Sequence, residues 1–147
     1  MKAKHLSLSA LLMMAVPVAS MAADRVVHLP IEQALAEGQK SGKLDGSVKF
    51  YFAGTQPSGK LNVLKENAEV SRKTNAFGKK DPVTCAWVLQ SVLISLQDQA
   101  KAAGANAVVG IVSNYDNVEY SDSQTYECHV GFLMSGVQLK GNLAKVE

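Results

Sequence analysis

Residues 81–115 read D-P-V-T-C-A-W-V-L-Q-S-V-L-I-S-L-Q-D-Q-A-K-A-A-G-A-N-A-V-V-G-I-V-S-N-Y, and the spacing predicts one helix running into one strand. Asp81 is suited to cap the free N–H groups of a first turn, and Pro82 fits the first helical position, where no N–H is needed. Apolar or small residues follow at Cys85, Leu89, Val92, Leu93, Leu96, Ala100 and Ala103, in steps of three and four that share one helical face. Gly104 supplies the left-handed position that ends many helices. The run Ala107-Val108-Val109-Gly110-Ile111-Val112 is too short and too β-branched for a second helix, so it reads as a buried strand. These signals predict a helix over 82–103 and a strand over 106–115. They set an architecture without a reactive constellation.

Working outward, Val48, Phe50 and Phe52 alternate with Ser47, Lys49 and Tyr51. That is the pattern of a half-buried strand over 47–53, with the phenylalanines inward and Tyr51 exposed. Before it, residues 31–38 predict a short helix stopped at Gly38, with Ile31, Ala34 and Leu35 making a modest core contact. Residues 54–80 are the least regular, with a short edge strand expected at 61–64. Downstream, residues 116–124 read as a polar hairpin connection into a long last strand over 125–140. In it Tyr126, Cys128, Val130 and Phe132 face the helix, and Ser135-Gly136 marks a bulge or bend. The tail 141–147 carries no clear signal. The core order is β-α-β-β.

At 147 residues, with 47% hydrophobic and 19% charged content, the chain fits one globular domain. Residues 1–22 read as a signal peptide: Lys2 and Lys4, an apolar run over 6–15, and the small-x-small site Ser20-Met21-Ala22. The apolar run is too short for a good membrane span. The expected product is a single periplasmic domain over 23–147, with its core at about 45–141 and no membrane insertion after signal cleavage. Without Lys2 and Lys4 the 15 Lys+Arg fall to 13, against 13 Asp+Glu. The mature charge is near zero, and nothing calls for nucleic acid.

In an oxidising compartment Cys85 and Cys128 are most simply one disulfide, joining the core face of the helix to a later strand. Closing a loop of about 44 residues contributes roughly 3–4 kcal/mol in the chain-entropy account. A metal site shared with His129 is disfavoured, because His129 follows Cys128 on a strand and points to the opposite face.

Two surfaces are candidates for contact. Residues 71–80 (S-R-K-T-N-A-F-G-K-K) form a basic, turn-rich stretch, and such runs are usually solvated surface. Their functional reading is a docking patch for an acidic partner or an anionic envelope surface, with Arg72, Lys73, Lys79 and Lys80 as cations and Phe77 as an apolar contact. On the helix, Val83, Trp87 and Ile94 fall on a flank apart from the core stripe. Trp87 there is either an oligomer contact or a residue covered by the segment 54–80, and both readings stand.

The chemistry searched for is thin. Residues 54–60 (G-T-Q-P-S-G-K) match a phosphate-loop pattern, but Leu61 stands where the Mg²⁺-binding hydroxyl belongs, and no helical face follows. An ATPase reading is rejected on that ground. The serines lack a G-x-S-x-G elbow, His5 belongs to the leader, and His129 reads as a hydrogen-bonded strand histidine. No catalytic residue, cofactor site or metal site is assigned.

With the order β-α-β-β in place, A-x-x-x-G-A-N-A-V-V-G-I (100–111) and G-V-x-L-K-G (136–141) resemble the YbjQ/RcsF-like family of small bacterial α/β domains. The resemblance covers roughly residues 45–141, and residues 71–81 are similar to a group of exported proteins without an established activity. It implies a helix packed on an antiparallel sheet. It also implies self-assembly for one branch, and for the other a disulfide-stabilised lipoprotein reporting envelope stress. Ala23 stands where a lipoprotein needs Cys, and the chain has two cysteines rather than four.

The expectation is therefore a two-layer α/β (α+β) domain, one long helix on a mainly antiparallel sheet. Its expected role is non-enzymatic, through contact with an envelope protein or with itself. The alternatives are a small-ligand or metal-binding module with a site at an oligomer interface, and an exported enzyme.

Overall fold

The computed structural model describes residues 24–147; the predicted signal peptide at 1–22, with His5, lies outside the described residues. In chain order the elements are β1 (Arg25–Pro30), α1 (Ile31–Lys40), β2 (Lys49–Phe52), β3 (Leu61–Asn75), α2 (Asp81–Ala102), β4 (Ala107–Ser113), β5 (Thr125–Val130) and β6 (Met134–Val146). A 3-10 turn, Tyr115–Asn117, follows β4. The fold is mixed α/β, with a strand-rich, mainly antiparallel sheet and two helices rather than one long helix on a sheet.

The apolar stripe of α2 forms as its spacing requires except at Ala103, which lies just past the helix end and is exposed. Cys85, Leu89, Val92, Leu93, Leu96 and Ala100 have no solvent exposure, and each large aliphatic chain so buried contributes roughly 1.5–3 kcal/mol. The cap differs from expectation. Lys80 holds the N-cap position with no side-chain cap, and Asp81 is the first helical residue. Its carboxylate is gripped by the Arg25 guanidinium at 2.6–3.0 Å, while its charge still favours the helix N-terminus. At the other end Gly104 takes φ 74°, the left-handed conformation predicted.

Strand β6 is the centre of the sheet. Along one side it pairs with β3 over its whole length, from Leu61↔Val146 to Asn75↔Met134. Its other side is shared, by β5 at His129↔Gly136 and Val130↔Ser135, and by β4 from Ser113↔Leu139 to Ala107↔Ala144. β1 flanks β5 and β2 flanks β4, the β2–β4 pair being parallel. Val137, Leu139 and Leu143 of β6 join Tyr126, Cys128, Val130, Val108, Ile111 and the helix in one core. Gly141 is required there, because an added Cβ would lie 3.0 Å from both Ile111 Cγ1 and Val108 Cγ1.

Several expectations are corrected. The single strand over 125–140 is two strands, because the chain reverses at residues 131–133 rather than bending at Ser135-Gly136. Phe132 therefore stands outside the core, whereas Tyr126, Cys128 and Val130 point inward as expected. Residues 116–124 are not a hairpin: β4 and β5 both pair with β6, and β4 meets that connection at the isolated bridge Ser113↔Tyr120. The short edge strand at 61–64 extends to Asn75, and the tail continues β6 to Val146. Two elements were unforeseen in kind or length. β1 precedes α1, and α1 runs through Gly38, whose missing side chain lets Leu44 pack against it. Tyr51 is half-buried against Ala107, Val109 and Ala144.

Candidate functional site

The disulfide predicted from composition is present between Cys85 and Cys128, with Cα atoms 6.0 Å apart, and it fastens α2 to β5. His129, next in the chain, lies on the opposite face, as strand alternation demands. Both thiols are consumed, so neither is a nucleophile or a ligand.

The basic set at 71–80 does not converge on one patch. Arg72 and Lys73 lie on β3, where neighbouring side chains leave by opposite faces. Arg72 turns to the helix layer and donates to Ser95 Oγ at 2.8 Å. Lys73 turns to the open face, its Nζ 5.9 Å from the centre of the Tyr115 ring. Only residues 76–80 form a loop, and there Phe77, Lys79 and Lys80 are exposed.

The helix flank divides as well. Val83 is 63% exposed and Trp87 55%, while Ile94 is half-buried against the core. The segment 54–80 does not cover Trp87, because its second half is drawn into the sheet as β3. Instead Lys43 Nζ sits 4.8 Å over the indole, a contact of the cation–π kind. A shallow cleft of about 320 Å³ adjoins this flank, lined by Thr74, Asn75, Lys79, Val83, Thr84 and Trp87.

Sequence reading missed two features. The first is the turn joining β5 to β6, where Phe132 and Leu133, with Met134 at the start of β6, are exposed beside Phe77. The second occupies the face of the sheet away from α2. In the β1–β5 register His28 lies directly opposite Glu127, and His129 is the next residue on the same face. Glu127 accepts from both: His129 Nε2 is 2.6 Å from Oε1, and His28 Nε2 is 3.4 Å from Oε2. Tyr115 stacks on His129 at 3.7 Å and Tyr120 on His28 at 4.2 Å. Tyr115 is delivered by a turn in which Asp116 and Asn117 hold φ 51° and 63°, and its ring lies 3.2 Å from where a Cβ on Gly136 would be. This arrangement needs pairing across three strands, so only the Cys128-His129 alternation hinted at it.

Among the described residues no group of three or more His, Cys, Asp or Glu is arranged to hold a metal ion. Beside the His28, Glu127 and His129 cluster, hydrogen bonds from Gln138 and Asn114 hold the Glu69 carboxyl below its ordinary range. Elsewhere the Lys101 ammonium and Ser47 hold Asp45 well below it. Burial, with Glu37 nearby, raises the Tyr126 phenol well above its usual value.

Residues 54–60 form a turn that leads into β3, not into a helix, so no helix follows the Gly54–Lys60 loop. No protein-family model, no curated protein and no solved structure matches this chain.

Proposed function

We propose that this chain is a non-enzymatic protein of the bacterial cell envelope that works by contact with another protein or with copies of itself. One observation carries the reading. On a helix whose other large apolar residues are buried or half-buried, Val83 and Trp87 stand in water side by side, next to a shallow cleft. An exposed Trp with a neighbouring aliphatic group is the composition of an interface anchor. The disulfide suits an oxidising compartment. The YbjQ/RcsF-like resemblance and the predicted signal peptide support a periplasmic setting, and the resemblance extends the reading to self-assembly and envelope stress.

The test combines in-cell crosslinking with sedimentation of the purified protein. Wild type is expected to sediment as an oligomer, or to crosslink reproducibly to one envelope protein, through residues 83–87. Trp87→Glu is expected to abolish that complex with its melting temperature retained. A complex that survives Trp87→Glu overturns the assignment of the flank.

A further inference from the structure

We propose that the end of the sheet where the β5–β6 turn meets the β3–α2 turn docks on the surface of an anionic phospholipid bilayer. Its apolar residues are not those of the Trp87 flank, although Lys79 lines the cleft beside that flank, and the inference does not rest on the contact reading. In the β5–β6 turn the Gly131 N–H donates to the Met134 carbonyl at 2.8 Å. The Ala76 N–H of the β3–α2 turn donates to the Leu133 carbonyl at 2.8 Å, and Phe77 meets Phe132 edge to face at 5.4 Å. The two turns are thus one unit. Its outer side is nonetheless bare: Phe77 is 58% exposed, Phe132 67%, Leu133 59% and Met134 44%. Turns are ordinarily built from Gly, Pro, Asn, Asp and Ser, so four large apolar side chains there call for a use.

The charges around them are biased. Lys79 and Lys80 are exposed on the same turn, and Lys73 borders a second cleft, lined also by Tyr115, His129 and Phe132. Asp81 is occupied by Arg25, and among the described residues Asp24 is the one carboxylate lining that cleft. Phe132, Leu133 and Met134 border that cleft, but like Phe77 they keep about half or more of their surface in water, placed to enter a soft surface. Phe, Leu and Met partition into the boundary between headgroups and acyl chains while lysines meet the anionic headgroups. The turns' own hydrogen bonds satisfy the Gly131 and Ala76 N–H groups, which shallow burial requires. Such docking departs from the expectation of no membrane insertion, but it is not a crossing. No helix among the described residues is long and apolar enough for that.

The test uses disulfide-bonded protein purified from the periplasm of an expression host and sedimented with sucrose-loaded vesicles at low salt. Vesicles of phosphatidylglycerol and phosphatidylcholine in equal parts are expected to bind at least tenfold tighter than pure phosphatidylcholine. Replacing Lys79 and Lys80 by Ala removes about a fivefold contribution each, so affinity falls about twenty-five-fold. Phe132→Ser with Leu133→Ser leaves the charge unchanged and is expected to weaken binding at least tenfold. Trp87→Ser is expected to bind as wild type, which separates this surface from the helix flank, and melting curves verify the fold of every variant. The proposal is overturned by equal binding to both vesicle types, by no binding to either, or by a Phe132→Ser/Leu133→Ser variant that binds like wild type. Capture of polyglutamate with the same dependence on Phe132 and Leu133 would make the surface a protein site and overturn it too.

Discussion

Removing the one cross-link tests how this fold is held. The Cys85–Cys128 bond closes a loop with a sequence separation of 43 and joins two residues with no solvent exposure. Constraining a loop of that length in the unfolded chain contributes about 4 kcal/mol. Unfolding a unit the size of residues 24–147 carries an entropy of about 0.26 kcal/mol/K, so losing the bond is expected to lower Tm by about 15 °C. The perturbation is Cys85→Ala with Cys128→Ala, which leaves no buried hydroxyl and only small voids, adding about 1 kcal/mol at most. Differential scanning calorimetry of the double variant and of oxidised wild type measures the difference directly. Reduced and refolded wild type serves as a second cross-link-free sample and is expected to melt near the variant. A double variant within about 4 °C of oxidised wild type would refute the reasoning. It would mean that packing of α2 on β5 and β6, not chain constraint, supplies the stability attributed here to the bond.

Gly141→Ala puts a methyl group 3.0 Å from Ile111 and Val108 and 3.2 Å from the Val109 carbonyl, in the middle of the central strand. Overpacking of this kind is expected to cost about 1–3 kcal/mol in urea unfolding. Asp45 is held well below its ordinary value, chiefly by Lys101. A depressed folded pKa means that its contribution is present above the unfolded value, near pH 4, and is lost as pH falls through the lower folded value. NMR titration is expected to show the Asp45 midpoint rising toward its ordinary value in Lys101→Met, and an unmoved midpoint would remove Lys101 as the cause.

Much of the hydrophobic framework was legible in the chain. Periodicity located α2 and β4 because both are buried by runs of apolar residues at the right spacing, and alternation located Tyr126, Cys128 and Val130. β3 was read as a fragment for a physical reason. It is an edge strand with Ala68 and Val70 as its buried residues, a single 2-residue step too short to mark fifteen residues as one strand, and pairing with β6 makes it regular. Phe132 was misplaced because alternation continues through Gly131 on paper, whereas the chain reverses there. The basic residues were legible as a run, but Arg72 and Lys73 part company because a strand sends successive side chains to opposite faces.

By itself, the sequence determined what local physics can determine: a long helix with its core stripe, a left-handed stop at Gly104, and a buried strand after it. It also supplied the pair of cysteines available to bond. Only the tertiary structure decided that β6 is the central strand, that His28, Glu127, His129, Tyr115 and Tyr120 share one face, and that Phe77 meets Phe132. Those juxtapositions join residues far apart in the chain, as Phe77 and Phe132 or His28 and Glu127 are. Periodicity reports which face of its own element a residue occupies, not which strand will lie beside it. That choice is made by competition among strands for β6, a property of the whole chain.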